Sequence, residues 1–303
     1  MHKFSFLLTA IAITATACAS EPPQQADTLR IVTTTSIVGD VVSNVVGDQA
    51  EVSVLIPNGG DPHEFQLSAK QVAELRAADL VVAIGLGLEP SIATALHDAA
   101  TDGTPVLELG PSVDPRSFPD GSPDPHIWFD PVRMIAATRL IADALEALDS
   151  TTDWSANAET YAEQLSETDH QITTLIGGLG ADQRKLVTNH ASIGYFADRY
   201  GLEVVGVIIP GGSTLANPSS AELAELIRII DELSVPAIFV ETTESDELAL
   251  AIAGETAQPV TIVELFTESL APEGEPGDSL TSLLLVDAER VVAGLAIPAE
   301  ADS

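Results

Sequence analysis

The chain has a single cysteine, Cys18, in 303 residues. One thiol excludes an intramolecular disulfide and any thiolate metal cluster. Basic residues are scarce as well: 12 Lys and Arg stand against 46 Asp and Glu, a formal net charge of −34. Such a field repels phosphate backbones, so no nucleic-acid partner is expected. It adds little to cation capture, because salt screens exposed charge within about 10 Å at 0.1 M; solubility is the simpler account. Beyond the first residues no apolar run is long enough to span a bilayer, so the folded part is expected to be soluble. Also absent are a Gly-x-Ser-x-Gly nucleophile motif and a Gly-rich phosphate loop, which argues against the hydrolase and nucleotide-binding classes that carry them.

Residues 1–18 read as a leader. Lys3 gives a short positive start, residues 4–16 are mostly apolar, and Ala15, Thr16 and Ala17 place small residues before Cys18. The arrangement resembles a bacterial lipobox, with Ala15 where Leu is usual, and predicts lipidation of Cys18. An ordinary cleaved signal with an incidental Cys is the alternative. Residues 19–28, rich in Pro, Gln and Glu, read as a flexible tether.

From there β-branched apolar runs alternate with helical periodicity. Strands are expected over residues 29–35, 51–56, 80–84 and 106–109, then 185–188, 203–209, 237–240 and 260–265. Helices are expected between them, with Ser36 capping the first and Gly294 stopping the last. Alternation at this spacing predicts α/β architecture with mostly parallel sheets. A helix of about 23 residues near 154–176, some 35 Å long, is long enough to bridge two lobes. The expected division is an N-terminal lobe over 29–150, a linking helix within 151–180 and a C-terminal lobe over 181–303.

The tripeptide Asp-Pro-His occurs twice, at Asp61–His63 and Asp124–His126. Pro fixes its own φ and restricts the residue before it, so the following imidazole leaves a stiff platform. The second copy ends a loop, residues 111–125, that holds five prolines. A third histidine, His190, follows the apolar run from Lys185, and Glu268 follows the run from Val260. Each of these four candidates lies just past the carboxyl end of a strand or in a loop entering a helix, where open α/β sheets bind ligands. Three imidazoles and a carboxylate form a transition-metal donor set. Taken singly, a loop histidine is more often a hydrogen-bonded surface residue than a ligand. That reading is kept for His97 and His170, which fall on polar helix faces, and His2 falls in the leader. The spacing matches no short metal motif, so the residues alone leave a shared site and four separate roles equally open.

Several segments together resemble the solute-binding proteins of bacterial ABC importers for zinc and manganese. They are the first strand with its Thr-Thr-Thr-Ser-Ile-Val-Gly-Asp continuation, Asp-Pro-His63-Glu-Phe, and Asp-Pro-His126-Ile-Trp-Phe-Asp-Pro131. His190 with Gly194-Tyr-Phe196 and Tyr200-Gly-Leu202, the Glu241 segment, and Thr267-Glu-Ser-Leu270 followed by Glu273-Gly extend the likeness over residues 29–285. The resemblance implies two Rossmann-like lobes joined by one long rigid helix, with metal held between them. It also implies an extracytoplasmic protein, lipid-anchored or periplasmic and expected to be monomeric. Its partner is a membrane permease with a separate ATPase chain.

Carried over by position, the family's ligands fall on His63, His126 and His190. Manganese-type members usually have Glu at the third position and zinc-type members His, so His190 favours Zn2+, with Mn2+ or iron as the alternative. The fourth position departs from the pattern: Glu268 stands where Asp is usual, its oxygen displaced by about one bond. Glu241 is the second choice for that role, ahead of Glu264 and Asp278. The His-rich acidic loop of many zinc-type members has no counterpart in residues 111–125, which contain no His. A surface adhesin and a metal-dependent hydrolase are the readings of other classes. Whether Glu268 binds metal and leaves no exchangeable water separates the receptor from the hydrolase, which needs an open position.

Imidazole ligates only when neutral. Zinc affinity is therefore expected to fall as pH drops through the reference His pKa of about 6.5. Competition titrations from about pH 7.5 to 5.5 check this, and a flat profile counts against imidazole ligation.

Overall fold

The computed structural model describes residues 28–296; Cys18, the leader and most of the expected tether lie outside them. The chain forms β1 (Leu29–Thr33), α1 (Ser36–Val46), β2 (Ala50–Val54), α2 (Ala69–Ala77), β3 (Leu80–Ala83), α3 (Ala93–Thr101) and β4 (Val106–Glu108). After the proline-rich loop come α4 (Pro131–Leu148) and α5 (Trp154–Gly177). The second half contributes β5 (Lys185–Thr188), α6 (Gly194–Tyr200), β6 (Glu203–Val207), α7 (Ser220–Leu233), β7 (Ala237–Glu241), α8 (Glu247–Glu255), β8 (Thr261–Leu265) and α9 (Leu280–Leu295).

Both halves build the same four-stranded sheet, in the orders β2-β1-β3-β4 and β6-β5-β7-β8, and all pairings are parallel. Parallel strands need crossovers that lay helices on both faces, so the inner strands read as continuous apolar runs. β3 and β7 are buried along their whole length. Leu75 and Leu96 cover one face of the first sheet, and Ile230 and Ile252 the outer face of the second. The remaining faces share one core that runs from Val41 and Ile141 through Leu165 and Ile172 to Leu283 and Phe239. The α/β fold of two sheets flanked by helices, expected from the alternation, is the one observed.

α5 spans 24 residues, capped at its start by Asp153, whose side chain accepts from Ala156 N. Tyr161, Leu165, Thr168, Ile172 and Ile176 recur at helical spacing along its buried side. It packs on α1 and α4 from the first half and on α6 and α9 from the second. Both halves thus use this helix as core.

Two terminal signals act differently from expectation. Thr35, one residue before Ser36, caps α1 by accepting from Val38 N. This frees the Ser36 hydroxyl, which accepts from Leu270 N at 3.2 Å in the other half. Gly294 does not stop α9, which continues to Leu295. A Cβ there would lie 3.0–3.2 Å from Phe239 and Val263, so this glycine serves close helix–sheet packing.

Leu165 is fully buried in the shared core, whereas Glu163 on the same helix is exposed. Leu165→Ala is expected to lower the unfolding free energy by about 2–5 kcal/mol, and Glu163→Ala to change it by less than about 0.5 kcal/mol. Denaturant titration of the two variants measures both.

Candidate metal centre

The doubled tripeptide is a doubled turn. Asp61 Oδ1 accepts from His63 N at 2.7 Å, and Asp124 Oδ1 accepts from His126 N at 3.0 Å. A carboxylate bonded two residues ahead closes an Asx turn around a proline of fixed φ. Each copy thereby turns an imidazole inward, and both rings are buried. His190 reaches the same space from the carboxyl end of β5, where Thr188 Oγ1 donates to the His190 carbonyl at 2.7 Å and tightens the chain reversal.

Glu268 sits three residues past β8 in a loop held from several sides. Phe266 N donates to Asp287 Oδ1 of α9 at 3.0 Å, and Trp128 Nε1 donates to the Thr267 carbonyl at 2.9 Å. Gly59 N donates to Ser269 Oγ at 2.7 Å, so the first half grips this loop through Trp128, Gly59 and Ser36.

One ligand atom from each of His63, His126, His190 and Glu268 lies within 4.8 Å of the others. His126 Nε2 and His190 Nε2 are 3.2 Å apart. Glu268 Oε1 is 3.5 Å from His126 Nε2 and 3.4 Å from His190 Nε2, while Oε2 is 4.0 Å from His63 Nε2. Four-coordinate zinc with donors ~2.0–2.1 Å away sets tetrahedral edges of ~3.3 Å. The three shorter separations are close to that edge, so this donor set fits a cation at its centre.

The outward-facing ring nitrogens meet the groups that orient metal-bound histidines elsewhere. His126 Nδ1 is 2.7 Å from Asp124 Oδ1, and the His63 ring lies beside the Leu88 backbone. Glu241 Oε1 approaches His190 Nδ1 to 2.6 Å, somewhat off the ring's hydrogen-bond axis, and accepts from Ser192 Oγ at 3.3 Å. Glu241 therefore stands behind His190, outside the four converging atoms. Glu264 is exposed on β8, and Asp278 bonds Gly274 N within its own loop. His97 is exposed on α3.

The centre is short of compensation. Both oxygens of Glu268 and Nε2 of His63 have no hydrogen-bond partner among the described residues, although all are buried. Burial, reinforced by the His126 and His190 rings, pushes His63 down to about 2. Burial also works against a charged His126, but Glu268 and Asp124 outweigh it and push that ring up to about 10. His190 is raised through the same contest, burial opposing Glu241 and Glu268. Burial raises Glu268, with the two imidazoles opposing. A divalent cation at the centre would supply the positive charge for Glu268 and the acceptor for each Nε2 lone pair.

Four roles escaped the sequence reading. Ser36 had been assigned to a helix cap; Asp124 was visible in the tripeptide only as a residue before proline. Asp287 and Arg116 gave no local signal because Phe266 and Asp198, which they meet, are distant in sequence; Arg116 also bonds Asp124 Oδ2 at 3.1 Å.

Two parallel α/β lobes closing on a buried cluster of three imidazoles and one carboxylate define a cleft protein built to hold a metal ion. Residues 31–294 match the family described as ZnuA, zinc-uptake complex component A, periplasmic, and the chain belongs to that family. It is 28% identical over 299 residues to the manganese-binding lipoprotein MntA of Halalkalibacterium halodurans, covering 96% of this chain and 98% of that one. It is 28% identical over 285 residues to the manganese ABC transporter substrate-binding lipoprotein PsaA of Streptococcus pneumoniae, covering 89% of each. Among solved structures, the periplasmic zinc binding protein TroA from Treponema pallidum superposes with a TM-score of 0.84 at 26% identity, covering 88% of this chain and 99% of that one. The protein is a substrate-binding component of a metal ABC importer.

Asp287 fastens the Glu268 loop with one oxygen and has no partner for the other among the described residues. Burial pushes its carboxyl up to about 7, against the bond from Phe266 N. The folded state thus holds this proton more tightly than the unfolded chain, whose Asp titrates near 3.9. Its contribution to stability is full below about pH 4 and is lost as pH rises to about 7. Asp287→Asn keeps an oxygen for Phe266 N and removes the ionisation. Its stability relative to wild type is expected to rise across that interval in denaturant titrations; a constant difference counts against the buried ionisation.

Proposed function

We propose that this protein captures one divalent transition metal between its lobes, with His63, His126, His190 and Glu268 as the ligands, and delivers it to a membrane permease driven by a separate ATPase chain. The observation that carries this reading is the meeting of four buried donors, of which His63 Nε2 and both Glu268 oxygens lack partners among the described residues. An enzyme reading requires an open metal position, and here a carboxylate fills the fourth corner. An extracytoplasmic location with a lipid anchor on Cys18 is supported by the relatives named as lipoproteins.

Zn2+ is the proposed cargo. Imidazole suits zinc, and the short donor–donor separations suit a tetrahedron. His190 at the position where manganese-type relatives usually carry Glu points the same way. Mn2+ is the second reading, favoured by a specific feature: Glu268 turns Oε1 toward His126 and His190 and Oε2 toward His63. A carboxylate used through both oxygens raises the coordination number and suits a harder ion, and the relatives named above for a metal include manganese binders.

Metal-stripped protein is expected to bind one zinc per chain in competition titrations and to prefer it to manganese. His190→Ala should weaken zinc by orders of magnitude, whereas His97→Ala should leave it unchanged; equal affinities in the two variants sink the site assignment. Glu268→Ala should weaken binding as well, and binding untouched by that variant moves the fourth donor elsewhere. Preference for manganese in the wild type selects the second reading.

A further inference from the structure

Asp124 is fully buried, and its two oxygens do different work. Oδ1 receives both the backbone N and Nδ1 of His126, at 3.0 and 2.7 Å. Oδ2 receives Arg116 Nη1 at 3.1 Å. The arginine belongs to the first half but is seated in the second. Its Nε lies 3.0 Å from Asp198 Oδ2, off the N–H axis, so that contact is an ion pair more than an aligned hydrogen bond. Its backbone N donates to Tyr195 Oη at 3.0 Å, the same hydroxyl that donates to the Asp124 carbonyl at 2.8 Å.

The seat exists because residue 194 is glycine. A Cβ on Gly194 would lie 1.5 Å from Arg116 Nη1, so any side chain there expels the guanidinium. Gly194 opens α6, four residues after His190. Arg116 thus ties the carboxylate behind His126 to the helix that follows His190, and these two rings form the shortest donor pair of the centre, 3.2 Å.

We propose that Arg116 is a positioning residue for metal capture: seated on Gly194, it holds Asp124 against His126 and so sets the geometry of the His126–His190 pair. This rests on the reading that these histidines bind metal. Without the guanidinium, Asp124 Oδ2 keeps a buried charge with no compensating cation, which favours rotation of the carboxylate and frees the His126 ring. Orienting groups behind metal ligands are worth about 10–100-fold in affinity. Lysine is no equivalent, since a compact ammonium lacks the fork that reaches two carboxylates at once.

The test uses metal-stripped wild type, Arg116→Ala, Gly194→Ala and the double variant, with Co2+ as spectroscopic probe and zinc in competition titrations. Arg116→Ala is expected to weaken both metals about tenfold or more and to shift the visible Co2+ bands, which report ligand geometry. Gly194→Ala should do the same although alanine is the better helix former. The double variant should bind no worse than Arg116→Ala, because the clash needs the guanidinium. Unchanged bands and affinity beside a lowered melting temperature would mean that the arginine only stabilises the fold, and overturn the proposal. Additive losses in the double variant overturn it too. If Arg116→Ala does not fold, Gly194→Ala decides alone by the same spectral and affinity criteria. Wild type that takes up neither Co2+ nor zinc overturns the metal reading itself, whereas normal wild-type binding with unaffected variants overturns only the role of Arg116.

Discussion

Holding three imidazoles and a carboxylate in one dry space, with their lone pairs aimed at each other, is the constraint on which the structure turns. Polar groups removed from water without partners are costly, and charged ones more so. The protein offsets part of that cost by placing a carboxylate behind two of the rings, Asp124 at His126 and Glu241 at His190. The inner side is left without such partners. Burial works against charge on every one of these groups, and only His126 and His190, beside carboxylates, are raised in spite of it, whereas His63 is pushed down. A cation that satisfies all four donors at once therefore gains differential binding energy from groups already assembled, with little ordering left to do.

The repeated sheet makes this assembly possible. In each half the first strand is paired on both sides, so the chain leaves for opposite neighbours and opens a crevice at the strand ends. His190 and Glu268 come from such ends in the second half, and His63 follows β2 in the first. The halves are then fixed to each other by bonds that cross the cleft close to the donors. Trp128 Nε1 reaches the Thr267 carbonyl, Leu270 N reaches Ser36 Oγ, and Asn58 Nδ2 reaches the Ala271 carbonyl at 2.7 Å. These bonds converge on the loop carrying Glu268.

The alternation of β-branched runs and amphipathic segments was legible because local patterns encode it, and so were α5 and the strand ends. The donors were legible as a group only because the tripeptide recurs and several segments resemble one family. Ser36 and Gly294 show where local reasoning stops. A serine before an apolar helix and a glycine near a helix end carry strong local meanings, yet tertiary partners claimed both, Leu270 N in one case and Phe239 in the other. Asp287 and Arg116 act through partners far along the chain, Phe266 and Asp198, and charge at a distance leaves no periodic trace in a sequence.

The two copies of Asp-Pro-His explain why the motif is more than a way to present a histidine. In both, Oδ1 closes the turn that aims the ring, which leaves Oδ2 free. Asp61 Oδ2 accepts from Thr214 Oγ1 at 2.6 Å, a residue of the second half. Asp124 Oδ2 accepts from Arg116, itself lodged against Gly194 and Asp198 of the second half. Each aspartate thus aims its histidine with one oxygen and fastens the cleft with the other. Asparagine could close either turn, and at position 61 its amide could still donate to the Thr214 hydroxyl, but at position 124 it would turn a donor toward Arg116, where an acceptor is required. At Asp124 the carboxylate is demanded by the second task, and in both copies the motif couples the direction of a histidine to the contact between the lobes.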